Sequence, residues 1–249
     1  MSEIQISIRL NSLAHQDKLL LRQVSLDVQS GQKILIVGPT GSGKTSLLHT
    51  LNLTNPGYDG HILFHGKDLR EHKPEELRGR IMEVMQEPHL EEGSVESALM
   101  LPWSYKVHSR LGKPDLSALL EETVRLLQNF GLDASYLQKE CGKLSGGEKQ
   151  RVALVRAMQF QPEVLLLDEI SSALDQSTSG IISDCLFNHY PGTIVAISHD
   201  PLWQSRWNRI WRLENGGVKE EHRELELGRD NLGPINPELQ KGKGDADGH

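Results

Sequence analysis

Apolar and polar positions alternate in the first part of the chain as they do in β-strands. Every second position from Ile4 to Leu10 is apolar, which is typical of a half-buried strand, and residues 19–28 predict a second strand. Asp59-Gly60 predicts a hairpin-like turn that leads into a further strand at residues 61–64. These three segments are therefore expected to form β-structure.

Uninterrupted apolar runs occur farther along the chain. Residues 164–167 form such a run, which suits a parallel strand buried on both faces. Further strands are predicted at residues 34–37, 81–85 and 193–198. The carboxyl ends of such strands are where open parallel sheets bind ligands, so the residues that follow them are candidates for chemistry.

The stretch from about residue 87 to residue 160 has mainly helical character. Leucine and valine recur at helical spacing over residues 116–127, and Gly131 is a stop signal. We predict a helical subdomain here. The alternative, a helix packed into the main core, would change the boundary of the subdomain but not the function.

A glycine-rich segment directly after residues 34–37 fills the pattern G-x-x-x-x-G-K-[ST]. Its glycines allow successive backbone N–H groups to face phosphate oxygens, and a helix beginning near Gly43 would point its positive dipole end there. Lys44 is expected to reach the β- and γ-phosphates, and Thr45 to offer its hydroxyl to Mg²⁺. The predicted ATP-binding residues of this loop are Gly38, Pro39, Thr40, Gly41, Ser42, Gly43, Lys44, Thr45 and Ser46.

Two further motifs lie downstream: Leu144-Ser-Gly-Gly-Glu148, and the pair Asp168-Glu169 at the end of the apolar run 164–167. At the carboxyl end of a parallel strand, the two carboxylates would face the phosphate-binding loop. Asp168 is then expected to hold Mg²⁺, and Glu169 to orient or deprotonate the attacking water. The alternative is a solvated acidic pair at the end of a strand.

Together, these motifs resemble the ATP-binding subunits of ABC transporters. The resemblance implies an α/β fold: a P-loop NTPase core of ABC ATPase type with an antiparallel β subdomain and an inserted helical subdomain. This domain would span residues 1–227, with the helical subdomain at about 87–160. Gly, Pro, Asp and Lys dominate residues 228–249, which predicts a disordered tail.

The resemblance also assigns roles to single residues. Gln86 matches the glutamine that senses Mg²⁺, and His199, which follows the predicted strand 193–198, matches the histidine that contacts the γ-phosphate. Catalysis is thereby assigned to Lys44, Glu169 and His199. Ser145, Gly146 and Gly147 would complete the ATP site of a second copy, which implies a head-to-tail homodimer holding two ATP molecules.

The base site departs from the family pattern. ABC ATPases usually stack adenine on an aromatic side chain, but counting back nine residues from Val24 gives His15, and no Phe, Tyr or Trp precedes Tyr58. Imidazole can stack on a base, although its smaller ring should hold adenine less well. His15 is therefore either a weak base contact or a solvated loop histidine.

Composition restricts the possible partners and locations. A formal net charge of −7 argues against a nucleic-acid surface. No apolar run approaches the ~18 residues that span a bilayer, and the N-terminus lacks a signal-peptide pattern, so we expect a soluble, non-secreted chain. Two cysteines form no disulfide framework. The family resemblance then implies a separate membrane permease and a cytoplasmic location on the inner face of the cell membrane.

The spacing of the histidines does not predict a binding site for a metal ion other than Mg²⁺. Only His61 and His65 have a four-residue spacing, and on a strand they would lie roughly 13 Å apart, too far to share an ion. We therefore expect no further metal site from the sequence.

Two hypotheses about function remain open: a subunit that powers a transporter, and a soluble ABC ATPase that acts on DNA or ribosomes. Within the family, residues 101–103, 144–175 and 157–160 most resemble subunits assigned to iron export. Trp103 is either part of a groove that receives the permease or a core residue of the helical subdomain.

Overall fold

The computed structural model describes residues 4–105, 115–172 and 174–223. Within these ranges the chain forms ten strands: β1 (Ile4–His15), β2 (Lys18–Gln29), β3 (Lys33–Val37), β4 (Tyr58–Phe64), β5 (Lys67–Asp68), β6 (Ile81–Val84), β7 (Val164–Asp168), β8 (Thr193–Ile197), β9 (Arg209–Glu214) and β10 (Gly217–His222). They form two sheets, so the predicted strands are confirmed and the α/β class is correct. The predicted disordered tail at 228–249 lies outside the described residues.

The smaller sheet has the order β2-β1-β4-β5 and is antiparallel. Ile6, Ile8 and Leu10 of β1 are buried, whereas Ile4 is exposed. Its apolar face shares one continuous apolar cluster with one face of the larger sheet, and the helix that follows β3 contributes to the same cluster. The alternation seen in the sequence therefore corresponds to one buried face, as predicted.

The predicted turn at Asp59-Gly60 is wrong. Both residues lie inside β4, where Gly60 pairs with Leu10 next to a shift in register. Gly60 has φ +114°, and a Cβ atom on it would lie 2.2 Å from the carbonyl oxygen of Arg9. The glycine therefore serves a close strand contact at a bulge rather than a chain reversal.

The larger sheet has the order β10-β9-β3-β8-β7-β6 and is parallel except for β10 at one edge. The side chains of β3, β7 and β8 are almost all buried, which explains their uninterrupted apolar sequences. Since the strands run in the same direction, the segments after β3, β6, β7 and β8 all leave the sheet at one edge. That edge carries the glycine-rich loop, Gln86, the pair Asp168-Glu169 and His199.

The described part of the chain forms seven α-helices: α1 (Lys44–Thr50), α2 (Pro74–Arg78), α3 (Val95–Met100), α4 (Leu116–Asn129), α5 (Gly146–Met158), α6 (Gln176–His189) and α7 (Pro201–Arg206). Short 3₁₀ segments occur at Leu69–Glu71, Leu101–Ser104, Ala134–Gln138 and Cys141–Lys143. None of the helices that the structure describes is long and apolar enough to cross a membrane.

The helix α4 accounts for the leucine pattern over residues 116–127. Leu119 and Leu127 are buried, whereas Leu116 is 71% exposed at the first turn. Gly131, with φ +70°, follows the end of the helix, as the stop signal predicted. Leu127 belongs to the same apolar cluster as Leu165 of β7, so the helical segment and the parallel sheet share a continuous core. The subdomain boundary stays a prediction.

Candidate active site

The glycine-rich loop connects β3 to α1 in the predicted position. Gly43 is the N-cap of α1 with φ +101°, and a Cβ atom on it would lie 3.1 Å from Leu20 Cβ. A Cβ atom on Gly38 would lie 2.5 Å from the carbonyl oxygen of Leu213. These close contacts and positive φ values require glycine, because a larger residue would displace neighbouring backbone.

Lys44 bends back over the loop that precedes it. Its Nζ atom donates to the carbonyl oxygens of Gly38 at 2.9 Å and Pro39 at 3.1 Å. Burial lowers the pKa of Lys44, while the charges of Glu169 and Asp168 act in the opposite direction. The ammonium group is therefore held in the phosphate-binding loop by weak neutral acceptors, which an anionic phosphate can replace.

Thr45 and Asp168 meet below the loop. Thr45 Oγ1 donates to Asp168 Oδ1 over 3.4 Å, joining the first turn of α1 to the end of β7. Burial raises the pKa of Asp168, and the Thr45 hydroxyl acts against this shift. A partly desolvated carboxylate beside a hydroxyl is a set of hard oxygen donors, so the two residues fit Mg²⁺.

Glu169 lies at the centre of a small network. Its φ of +46° is unusual for a residue other than glycine, and its N–H donates to the carbonyl oxygen of Ile197 at 3.0 Å. His199 Nε2 lies 3.4 Å from Glu169 Oε1. Gln86 Nε2 donates to Ser172 Oγ at 3.3 Å, and Ser172 Oγ in turn donates to the Glu169 carbonyl oxygen at 2.8 Å. The structure thus brings Gln86, Glu169 and His199 together.

Buried hydroxyl groups connect the loops that carry Glu169 and His199. Ser171 Oγ and Ser198 Oγ are 2.8 Å apart, and both residues are buried. The Asp200 N–H donates to Ser198 Oγ at 3.1 Å, and the Asp200 carboxylate caps α7 through the N–H of Leu202 at 2.8 Å. Sequence analysis did not single out Ser171 and Ser198, because only the pairing of β7 with β8 makes them neighbours.

His15 lines a cavity of about 320 Å³ above the loop, together with Lys18, Leu20, Thr40 and Gly41. The cavity is also lined by Gly43, Lys44, Thr45, Ser46 and Glu169. Gln16 and Asp17, both with positive φ, form the tight turn that brings β1 back into β2 and places His15 beside Lys18. Lys18 and Leu20 are cavity residues that the sequence analysis missed, since no motif marks them.

The segment Ser145-Gly146-Gly147 lies elsewhere and contributes nothing to the lining of that cavity as far as the structure describes it. Ser145 N-caps α5 by accepting from the Glu148 N–H at 3.2 Å, and Glu148 Oε2 accepts from the Ser145 N–H at 2.8 Å. Tyr136 also donates a hydrogen bond to Glu148. This bond, together with the hydrogen bonds to Ser145, lowers the pKa of Glu148 to about 2.

A second charged pair lies next to Asp168. His49, one helical turn after Thr45, has its Nε2 atom 2.8 Å from Oε1 of Glu83 on β6. Hydrogen bonding to Glu83 raises the pKa of His49. The donor atoms of His49, Glu83 and Asp168 all lie within 4.8 Å of one another. No motif or spacing in the sequence marks this group, because its members come from three separate elements.

A groove of about 450 Å³ lies beside the segment that carries Gln86. It is lined by residues that include Met85, Pro88, Pro102, Tyr105 and Phe160. Trp103 packs against Phe160, with ring centroids 4.6 Å apart, but does not itself line the groove. Both roles predicted for Trp103, a groove residue and a core residue of the helical subdomain, therefore stay predictions.

The sequence profile of the family described as ABC transporter matches residues 21–172 of this chain. The chain belongs to the ABC transporter family. It is 35% identical over 187 residues to the "Probable iron export ATP-binding protein FetA" of Escherichia coli, covering 75% of this chain and 78% of FetA. It is 32% identical to the lipoprotein-releasing system ATP-binding protein LolD of Bdellovibrio bacteriovorus, covering 79% of this chain and 90% of LolD.

Larger relatives share only this portion. The "ABC transporter B family member 18" of Arabidopsis thaliana is 34% identical over 211 residues, which are 17% of its length. Among solved structures, cbiO1 of Clostridium perfringens superposes with a TM-score of 0.73 at 23% identity, covering 88% of this chain and 89% of cbiO1. This ABC ATPase therefore has the predicted P-loop NTPase fold, binds nucleotide and hydrolyses ATP.

Proposed function

We propose that this ABC ATPase powers a permease that is a separate membrane-spanning chain. FetA and LolD, which it matches over most of their length, are both named as ATP-binding proteins, and this supports a role as a dedicated ATPase subunit. The chain would then work at the cytoplasmic face of the cell membrane, where the permease holds it.

The residues of the glycine-rich loop and the carboxylates at the end of β7 would have different roles in ATP hydrolysis. Lys44, released from the Gly38 and Pro39 carbonyls, would bind the β- and γ-phosphates. Thr45, Asp168 and Gln86 would hold Mg²⁺, and this ion would neutralise phosphate charge when bound. Glu169 would accept a proton from the attacking water.

The segment Ser145-Gly146-Gly147 fits best as part of a second copy's site. It starts a helix of 13 residues, with the glycine N–H groups at its exposed first turn, yet it does not line the cavity around Lys44. Two copies arranged head to tail would each supply this segment to the other's ATP, which explains why one chain carries two phosphate-binding elements. ATP binding would close this homodimer and hydrolysis would open it.

A series of contacts links the groove to the residues around Glu169. These contacts are the main support for the proposal that a permease is coupled to ATP hydrolysis. Met85 lines the groove, and its carbonyl oxygen accepts from Gln150 Nε2 of α5 at 3.1 Å. The next residue, Gln86, contacts Glu169 through Ser172. A permease segment seated in the groove would therefore press on the residues that set Glu169 in position.

We propose that the transported substrate is a metal such as iron. It rests on the similarity to FetA, whereas other relatives carry different names, such as the lipoprotein-releasing LolD. Selectivity for the cargo would reside in the permease, with this chain supplying the energy of ATP binding and hydrolysis.

Two experiments test the proposal. The chain should sediment with membranes when it is co-expressed with its permease, and it should not do so without the permease. Sedimentation that is the same with and without the permease would contradict the subunit role. Cells lacking the chain should retain more iron under iron excess, as elemental analysis measures, and a Lys44→Ala copy should not restore them. Unchanged iron in the deletion strain would overturn the iron assignment and leave the ATPase role intact.

A further inference from the structure

We propose that His49, Glu83 and Asp168 form a binding site for a divalent transition-metal ion, distinct from the Mg²⁺ site and competing with it for Asp168. This inference rests on the proposed function only in the role given to Asp168. One imidazole and two carboxylates form a donor set that suits Mn²⁺, Fe²⁺, Co²⁺ and Zn²⁺ better than Mg²⁺, which prefers oxygen alone.

The distances fit a common ion. Two ligand atoms that are each about 2.1 Å from one metal ion lie at most about 4.2 Å apart. The three donor atoms lie within 4.8 Å of one another, and His49 Nε2 is 2.8 Å from Glu83 Oε1. Side-chain shifts of less than about 1 Å would therefore bring all three to bonding distance.

Glu83 is prepared for such a role. Its side chain is 9% exposed, and its Oε2 atom accepts from Asn52 Nδ2 at 2.7 Å. The Thr54 N–H donates to Asn52 Oδ1 at 3.1 Å, which orients the Asn52 amide. The other oxygen, Oε1, is buried and faces His49 Nε2 at 2.8 Å. Metal-binding carboxylates are commonly held in this way by an outer hydrogen bond.

An ion can reach the site from solvent. Asn52, Thr54 and Glu83 line the open groove of about 450 Å³ that also carries Tyr105. His49 is half-buried, its side chain 33% exposed. A bound cation would also offset the cost of burying two carboxylates within a few ångströms of each other.

The functional consequence is inhibition. The single carboxylate of Asp168 would be needed by both ions. An ion bound by His49, Glu83 and Asp168 would therefore weaken binding of Mg²⁺ and slow ATP hydrolysis. If the transported substrate is a transition metal, the ATPase would respond directly to free cytoplasmic metal of the same class.

Titration of the nucleotide-free protein with Co²⁺ alone, followed by the visible absorption of the bound ion, tests the site. Wild type should bind one equivalent with saturation. His49→Gln and Glu83→Gln should weaken binding more than tenfold, and Asn52→Ala by about tenfold. His61→Gln, which removes an exposed histidine paired with Asp68, should bind as wild type does.

Thermal unfolding and Mg²⁺-free ATP binding establish that each variant is folded. As a second readout, Zn²⁺ at fixed Mg²⁺ should inhibit ATP hydrolysis by wild type and His61→Gln more strongly than by Glu83→Gln, each relative to its own uninhibited rate. Absence of saturable Co²⁺ binding in wild type, or equal affinity in His49→Gln, would overturn the proposal. Loss of hydrolysis in Lys44→Ala is independent of these results, so the two proposals fail separately.

Discussion

His199 Nε2 lies 3.4 Å from Glu169 Oε1, although the two residues follow different strands. The contact exists because β7 and β8 pair in parallel, so the segments after both strands leave the sheet side by side. The histidine thus contacts the carboxylate that we assign to the attacking water. Binding of ATP would offer His199 the γ-phosphate instead, and would free Glu169 to accept a proton.

Replacement of Glu169 by Gln should preserve ATP binding and slow hydrolysis by about 10²–10⁴-fold, since the proton acceptor is lost while the loop is intact. The variant should accumulate as an ATP-bound dimer on size-exclusion chromatography. Glu121→Gln, an exposed carboxylate on α4, serves as control and should hydrolyse ATP normally. A Glu169→Gln protein that turns over at the wild-type rate would remove Glu169 from catalysis.

His15→Tyr should tighten ATP binding by ~1 kcal/mol, because a larger ring stacks better on adenine. The side chain already lines the cavity above the loop, so the new ring needs no change of backbone. Titration with ATP and with GTP measures the effect on each base. His61→Tyr, on β4 and outside the cavity, should change neither affinity, and equal affinities in wild type and His15→Tyr would mean that residue 15 does not touch the base.

Ser171→Ala should lower the free energy of unfolding by about 1 kcal/mol, since the buried Ser198 hydroxyl loses the Ser171 hydroxyl and keeps only the Asp200 N–H as a partner. Ser198→Ala should do the same, and the double variant should be less destabilised than the sum of the two. Denaturant unfolding of all four proteins measures this coupling. Ser205→Ala, which removes an exposed hydroxyl on α7, is the control; strictly additive effects would show that the two hydroxyls act separately.

Glu148 should make a pH-dependent contribution to stability. Its pKa is lowered from 4.5 to about 2 in the folded protein, so its contribution is fully present above the unfolded pKa and is lost as the pH falls from about 4.5 toward 2. The difference in free energy of unfolding between wild type and Glu148→Gln should shrink by about 1 kcal/mol from pH 6 to pH 3.5. Urea titrations at both pH values measure it, with Glu121→Gln as control; a difference that does not vary with pH would contradict the prediction.

Tyr105→Glu should uncouple the chain from its permease. Tyr105 is 47% exposed and lines the groove, so a carboxylate there would oppose burial of a partner segment. We expect ATP hydrolysis by the isolated chain to be retained and membrane sedimentation with the permease to be lost. Leu116→Glu changes an even more exposed apolar residue, 71% exposed on α4 and outside the groove lining, and should sediment normally. Normal sedimentation of Tyr105→Glu would argue against the groove as the docking site.

Local motifs made most of the active site predictable. The loop from Gly38 to Ser46 is predicted to bind phosphate through backbone N–H groups and adjacent side chains, so its chemistry can be predicted from consecutive residues. Asp168 and Glu169 likewise follow an apolar run, and residues at the end of a buried parallel strand necessarily reach the ligand-binding edge. The strands followed from apolar periodicity, because it records which faces are buried. The α/β class was implied by the resemblance of the motifs to ABC transporter ATP-binding subunits.

Only the tertiary structure decided which distant residues became neighbours. Gly60 was expected in a turn, and its role at a bulge depends on the Arg9 backbone that faces it. His49 and Glu83 come from a helix and a strand that the sequence separates, and the pairing of β6 with β7 brings them to Asp168. Strand order is set by long-range packing rather than by any local preference. The sequence by itself therefore determined the phosphate chemistry, whereas the sheet topology determined what surrounds Asp168 and Glu169.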